Sequence, residues 1–277
     1  MEGVSKMNKL SFKNVFKLIG FDLRVNKKFI LAWIIVIFAI MLMYMSLYGA
    51  MKDIAKFKME QMPEQLMDFF NMKDFSEMGT YNGYFALIYN IVMIPITIFA
   101  VIFTAKLITA EEKSKSIEFL YSMPFSRVEI FVSKILTSII AINVVLIFGA
   151  VPTVVFGYVH EGSALDILEL SSVIKVTSFT SYFFASLTAL LTGISGKTTG
   201  GTASIFVIVS YFLGYLGKLL SGKADWLLYL SPFELFETSK SMTLSNETLV
   251  NLGVYFVVLL VFYVVGTYLY RKRDFSL

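Results

Sequence analysis

Apolar residues fall into six long runs along this chain, and shorter polar stretches separate them. The runs cover residues 29–48, 84–109, 130–158, 173–194, 202–220 and 249–270. A helix of about twenty residues crosses the hydrocarbon core of a bilayer, which is about 30 Å thick. The pattern therefore predicts an all-α membrane protein, with six transmembrane helices in a single domain that comprises residues 1–277.

The N-terminal 28 residues are basic and amphipathic at helical spacing. One face carries Phe12, Val15, Phe16, Ile19 and Leu23, and the opposite face carries Lys6, Lys9, Lys13, Lys17 and Arg24. Such a pattern is typical of a helix in the headgroup plane whose cations face anionic lipid. We therefore expect residues 1–28 to form an interfacial helix, with membrane lipid as a partner, and no cleavable signal peptide before the first span.

Composition narrows the possible functions. The chain is 57% hydrophobic and only 16% charged, whereas soluble domains are nearer a quarter charged. It has no Cys and a single His, His160, which leaves no thiolate chemistry and little scope for a histidine metal site. We predict no catalytic, cofactor-binding or metal residue, and no nucleic-acid partner.

The distribution of charge predicts the orientation. Of the 24 Lys and Arg residues, 16 lie in the termini, the loop after the second run and the turn at 195–201, taken with the nearest span ends. The other loops hold 8, and they hold 13 of the 20 acidic residues. Because basic loops stay in the cytoplasm, we expect a multi-pass protein with both termini cytoplasmic.

A charged, helix-compatible segment from Glu111 to Lys134 separates the second and third runs. Pro124 ends its first part, since the residue before a proline avoids the α conformation. Ser126 followed by Glu129 is a capping-box pattern that begins the next helix. The first part also carries an apolar stripe that needs a partner surface, made by Ile117, Phe119, Leu120 and Met123.

This segment resembles the loop between spans two and three of ABC-2-type transporter permeases. The likeness rests on the acidic pair Glu111-Glu112, on the run from Ser116 to Arg127 (SIEFLYSMPFSR), and on Glu129-Ile130 with Lys134. The run from Tyr229 to Phe236 (YLSPFELF) resembles the Ser-Pro-Phe element before the last span of that family. Lys115, Tyr121 and Phe125 depart from the residues that are commoner there.

The resemblance implies the membrane subunit of an ATP-driven bacterial exporter in the cell membrane. Its partners would be two cytoplasmic ABC ATPase subunits, which bind ATP and Mg²⁺, and a second permease copy or a related permease. A re-entrant outer segment would precede span six. The expected contacts with the ATPase lie on a coupling helix between spans two and three: Glu111, Glu112, Lys113, Lys115, Ile117, Glu118, Phe119, Leu120, Met123, Pro124 and Arg127.

Two alternatives stay open at the level of sequence. The chain could be a non-transport membrane protein, such as an immunity factor or the partner of a signalling protein. It could also be an intramembrane hydrolase, because Gly193 to Gly196 (GISG) matches the Ser motif of rhomboid-type proteases. That chemistry needs a His to activate Ser195, and His160 is expected on the opposite side of the membrane.

Overall fold

The computed structural model describes residues 11–61, 79–113, 124–195, 200–220, 223–236 and 245–273, and these are helical apart from short connections. The longer helices are α1 (Phe12–Ser46), α2 (Tyr48–Gln61), α3 (Tyr81–Lys113), α4 (Arg127–Glu161), α5 (Ile167–Ser195), α6 (Gly200–Leu219) and α8 (Asn246–Lys272). A four-residue helix, α7 (Pro232–Leu235), and two 3₁₀ helices (Gly162–Ala164 and Asp225–Leu230) complete the described chain.

Six of these helices, α1, α3, α4, α5, α6 and α8, are long and apolar enough to cross a membrane. They coincide with the six predicted runs, which confirms the prediction of an all-α protein with six candidate spans. Several extend beyond the predicted boundaries. For example, α4 has 35 residues, about 52 Å at 1.5 Å per residue, and therefore exceeds the hydrocarbon thickness.

The six candidate spans run in alternating directions, so the bundle has two ends. We call the end where α1, α4 and α6 begin and where α3, α5 and α8 finish the charged end. There, ion pairs join α1 to α4 and α3 to α8. We call the opposite end the aromatic end, because Tyr48, Tyr81 and His160 pack together there.

The helices α3 and α5 form the centre of the bundle, and α1 packs along α4 while α8 packs along α5. The interface of α5 uses small polar side chains, and its buried residues include Thr177, Ser178, Thr180, Ser181, Ser186 and Thr188. The Ser181 hydroxyl lies 2.9 Å from that of Thr97 on α3. Small hydroxyl residues let helix backbones approach closely in a membrane and hydrogen-bond across the contact.

The prediction of an interfacial helix that ends at residue 28 needs correction. In the structure, residues 12–46 form one continuous α-helix, because nothing near Asn26 to Lys28 breaks a helix. The predicted apolar stripe is also divided. Val15 and Ile19 are buried, whereas Phe12 and Phe16 are about 70% exposed, so α1 buries the face that continues through Asp22 and Asn26.

Local sequence signals explain where α4 begins and ends and where α8 begins. The Ser126 side chain accepts from the Glu129 amide while the Glu129 side chain accepts from the Ser126 amide, so the predicted capping box is confirmed. Gly162 ends α4 with φ of +55°, a conformation that favours glycine. At α8, the Ser245 hydroxyl accepts from the Thr248 amide at 3.1 Å.

Candidate functional site at the charged end

Both flanks of the predicted coupling helix lie at the charged end. Glu111 and Glu112 are in the last turn of α3. Pro124 precedes α4, and Arg127 is the first residue of α4. The intervening stretch 114–123 is outside the described residues. It contains six of the predicted contact residues, Lys115, Ile117, Glu118, Phe119, Leu120 and Met123. Lys113 ends α3, but its side chain is likewise outside the described set.

A buried lysine joins three helices next to the first flank. The ammonium group of Lys134 on α4 donates to the carboxylate of Asp22 on α1 at 3.0 Å. It also donates to the carboxylate of Glu111 on α3. The side chains of Lys134 and Asp22 are each 6% exposed, and that of Glu111 is 17% exposed.

This triad contains two carboxylates for one ammonium group. Among the described residues, Oδ2 of Asp22 is buried and has no hydrogen-bond partner, so Lys134 provides the compensating charge for Asp22. A buried charge that loses its partner is strongly destabilising. The triad therefore holds the ends of α1, α3 and α4 in one arrangement, and each helix depends on the same lysine.

The second acidic residue of the pair joins α3 to the end of α8. Nη2 of Arg273 lies 2.6 Å from Oε2 of Glu112. Nη1 of the same guanidinium group donates to the backbone carbonyl of Thr192 on α5 at 3.3 Å. Arg273 thus bridges α3, α5 and α8, and a guanidinium group suits this role because its donors have a fixed, forked geometry.

The other flank contacts the same helix end. Nη1 of Arg127 donates to the carbonyl oxygens of Arg273 at 2.8 Å and Arg271 at 3.2 Å. These carbonyls lie in and just after the last turn of α8, where helix carbonyls lack partners and a cation is favourable. Arg127 therefore joins the start of α4 to the end of α8.

Glu129 extends the network to the start of α1. Besides its capping-box bond, its Oε1 accepts from the backbone amide of Ser11 at 2.8 Å and from the side-chain amide of Asn14 at 3.2 Å. The carboxylate thus accepts from three groups in all, the backbone amides of Ser11 and Ser126 and the side-chain amide of Asn14. One carboxylate thus fixes the first turns of both α1 and α4.

Sequence reasoning identified Glu111, Glu112 and Arg127 as site residues but missed Asp22 and Arg273. The sequence does contain an indication for Asp22, because this residue lies on the same helical face as Ile19 and Asn26. A carboxylate on a buried face is unfavourable unless it is paired with a cation. Arg273 was counted only among the basic residues of the termini. No local pattern indicates which carboxylate one of these cations would meet.

The aromatic end has a different construction. The ring of Tyr48 lies 5.0 Å from that of Tyr81 and 5.1 Å from that of His160, both in edge-on geometry. The Tyr48 hydroxyl donates toward Oε1 of Glu161 at 3.2 Å. Burial and the neighbouring Glu161 carboxylate raise the pKa of Tyr48 to about 12, so this hydroxyl remains a donor at physiological pH.

The positions of Ser195 and His160 contradict the hydrolase alternative. His160 packs on Tyr48 at the aromatic end, and Ser195 is the last residue of α5 at the charged end. A 29-residue helix separates the two ends by about 40 Å. Within the described ranges, no group of three His, Asp or Glu side chains is arranged to hold a metal ion.

The segment before α8 packs against the middle of two long helices. Thr180, at the centre of α5, donates to the carbonyl oxygen of Pro232 at 3.3 Å, and Ser210, at the centre of α6, donates to that of Leu230 at 3.2 Å. Nζ of Lys218 lies 2.8 Å from Oε2 of the buried Glu234. The residues from Ser231 to Phe236 are therefore part of the core rather than a surface loop.

A comparison with known protein families gives a match that covers most of the chain. The family model described as the C-terminal domain of the multidrug efflux system permease Rv1217c matches residues 17–271. The matched range includes most of α1, the whole of α3, α4, α5 and α6, and all but the last residue of α8, together with the charged network except its most terminal residues. None of the curated proteins matches the chain.

Proposed function

Because the chain belongs to the family of the C-terminal domain of the multidrug efflux system permease Rv1217c, we propose that it is the membrane subunit of an ATP-driven exporter of ABC-2 type. A multi-pass membrane protein of a permease family is a transport component rather than an enzyme. The finer proposal is that ATP, with Mg²⁺, is hydrolysed by two separate cytoplasmic ABC ATPase subunits. They would act on this chain through the segment between α3 and α4.

The anchoring of both flanks of that segment carries the proposal. Glu111 and Glu112 fix the end of α3 to α1, α4 and α8 through Lys134 and Arg273. Arg127 fixes the start of α4 to the end of α8. A force applied between the two flanks would therefore reach four membrane helices at once.

Buried ion pairs suit such a coupling device. Removing one partner of a buried pair costs about 3–5 kcal/mol, so the helix ends resist separation and move together. A flexible connection would instead absorb a push from an ATPase subunit in the loop itself. We propose that Glu111, Glu112 and Arg127 position the segment, together with Lys113 and Pro124. The ATPase contact would be made by Lys115, Ile117, Glu118, Phe119, Leu120 and Met123.

Three further proposals complete this function. The charged end faces the cytoplasm, in keeping with the distribution of Lys and Arg. Residues 225–235 form a re-entrant segment, which is supported by their contacts with the centres of α5 and α6. A second permease copy, or a relative, covers part of the apolar surface that α1, α6 and α8 expose, and lipid covers the rest.

Co-purification tests the ATPase partnership. The chain with an affinity tag is extracted from its native membrane in a mild detergent, and bound proteins are identified by mass spectrometry. The wild-type chain is expected to retain an ABC ATPase, and Phe119→Asp is expected to lose it, because a carboxylate would have to be desolvated in an apolar contact.

Two control variants make the result specific. Phe119→Tyr keeps an aromatic ring at the same position and is expected to retain the ATPase. Tyr229→Asp makes the same kind of change on a side chain that is 65% exposed near the other end of the bundle, and it is also expected to retain the ATPase. Retention of the ATPase by Phe119→Asp, with normal membrane insertion of all variants, would refute the proposal.

A further inference from the structure

A cavity of about 490 Å³ lies between α4 and α5, in the half of the bundle nearer the aromatic end. Its volume is within the range of small-molecule sites in proteins, about 300–1,000 Å³. Apolar side chains such as Leu146, Ile147 and Phe179 form most of its wall, and a few polar groups lie at defined positions. The function proposed above uses none of these residues.

The polar groups of the cavity are divided between its two ends. At the end near the bundle centre, the Tyr182 hydroxyl donates to Oδ1 of Asn143 at 2.9 Å. One N–H of the Asn143 amide donates to the carbonyl of Ile139 at 2.8 Å, and the amide carries a second N–H. At the other end, Nζ of Lys175 donates to the hydroxyl of Ser171 at 3.3 Å.

Lys175 has no ion-pair partner in the part of the chain that the structure describes. The nearby carboxylates are engaged elsewhere, since Asp166 accepts from the Glu169 amide and Glu169 accepts from Asn82. Lys175 is also two residues inside the predicted limit of its span, which begins at residue 173. Its side chain is exposed at the edge of the hydrocarbon, where a lysine reaches the membrane interface and is accessible to an anionic group.

The spacing along α5 gives the cavity a direction. Lys175 and Tyr182 are seven residues apart, about 10 Å along the helix axis, and Phe179 lines the cavity between them. A cation is thus followed by an apolar wall and then by a neutral polar pair. We propose that this cavity binds an amphipathic anion, with its charged head at Lys175 and its apolar chain directed toward Tyr182 and Asn143.

The ligand chemistry follows from this order. A purely apolar molecule would leave Lys175 without a counter-charge, and a cationic amphiphile would be repelled by it. A carboxylate or phosphate head would gain a charge-assisted hydrogen bond at the membrane edge. The inference concerns binding by this chain alone, so it does not depend on ATP-driven transport.

Photolabelling tests the proposal on the full chain in nanodiscs of zwitterionic phosphatidylcholine. The probe is dodecanoate with a diazirine at its far end, and the matched uncharged probe is the corresponding alcohol. Labelled peptides are mapped by mass spectrometry. The carboxylate is expected to label the stretches 143–150 and 174–182, and Lys175→Gln is expected to reduce this labelling about tenfold, the scale of one charge-assisted hydrogen bond.

Two further lysine variants separate charge from general effects on the protein. Lys175→Arg keeps the cation and is expected to retain the labelling. Lys223→Gln removes an exposed lysine beyond the end of α6, and it is expected to leave the labelling unchanged. Equal labelling by the alcohol, unchanged labelling in Lys175→Gln, or labelling spread over all lipid-facing helices would overturn the proposal.

Competition identifies the source of the anion. Phosphatidylglycerol in the nanodisc and free unlabelled dodecanoate are each added in excess over the probe. Loss of label with phosphatidylglycerol assigns the site to an anionic membrane lipid. Loss only with free dodecanoate assigns it to a free single-chain amphiphile. Both results support the proposal, and absence of competition by either would overturn it.

Discussion

The two ends of the helix bundle are stabilised by different kinds of interaction. At the charged end, Lys134 and Arg273 connect carboxylates on α1 and α3 to α4 and α8. At the aromatic end, the rings of Tyr48 and Tyr81 pack on each other and on His160. Two ion pairs lie toward that end: Lys52 with Glu161 is longer at 3.7 Å and about one-third exposed, and in Lys218 with Glu234 the lysine side chain is 43% exposed.

The two ends differ in how much stability is lost when a side chain is substituted. Ring packing depends on area and shape, so it weakens gradually when a group is altered. Buried ion pairs fail more abruptly, because the remaining charge is left without compensation in a medium of low polarity. The charged end is therefore suited to hold helices in a fixed relation, and that is the property a coupling site for an ATPase requires.

Labelling of engineered cysteines assigns each end to a side of the membrane, and its expected effect is the largest because it is all or none. The chain has no Cys of its own, so single replacements report without background. In intact cells, a membrane-impermeant maleimide is expected to label Ser163→Cys at the aromatic end. Ser195→Cys at the charged end should react only after permeabilisation. The reverse pattern would contradict the proposed orientation.

Lys134→Met is expected to destabilise the protein by about 3–5 kcal/mol, because it leaves the buried Asp22 without its cation and removes the ion pair with Glu111. Thermal unfolding of the purified protein in detergent measures this change as a fall in Tm on the order of 10 °C. Adding Asp22→Asn and Glu111→Gln to this variant removes the uncompensated charge and is expected to recover most of the loss.

The matched control for this change lies at the aromatic end. Lys52→Met also removes one lysine from an ion pair, but its pair with Glu161 is partly exposed. Its expected cost is below about 1 kcal/mol. Equal losses from Lys52→Met and Lys134→Met would show that burial of the triad does not determine the stability of the charged end.

Tyr48→Phe is expected to cost about 0.5–1.5 kcal/mol, much less than Lys134→Met. It removes the hydroxyl that donates to Glu161 but keeps the ring contacts with Tyr81 and His160. The same thermal measurement applies. A loss as large as that of Lys134→Met would mean that the aromatic end also depends on its polar bonds, and the contrast between the two ends would disappear.

The sequence predicted the features that local patterns encode. The six spans follow from runs of apolar residues, and the start of α4 follows from the spacing of Ser126 and Glu129. The extent of α1 was mispredicted, since a change from amphipathic to apolar composition does not end a helix. Such a change in composition indicates that the surroundings of the helix change along its length. The end of a helix is marked only by a helix-breaking residue or a cap.

The charged network was predictable only in part, because its contacts are long-range. Asp22 and Lys134 are separated by 112 positions, and Glu112 and Arg273 by 161. Hydrophobic periodicity shows that Asp22 is on a face that becomes buried, but it does not identify the cation that compensates it. The cavity beside Lys175 was beyond sequence reasoning for the same reason, since its walls belong to two different helices.

Site-specific photo-crosslinking in cells tests the central claim most directly. A photoreactive amino acid replaces Phe119 in one variant and Tyr229 in another, and crosslinked partners are identified by mass spectrometry. The account predicts that position 119 crosslinks to an ABC ATPase and that position 229 does not. Failure of position 119 to capture an ABC ATPase, in a chain that is correctly inserted, would contradict the proposed coupling function of the charged end.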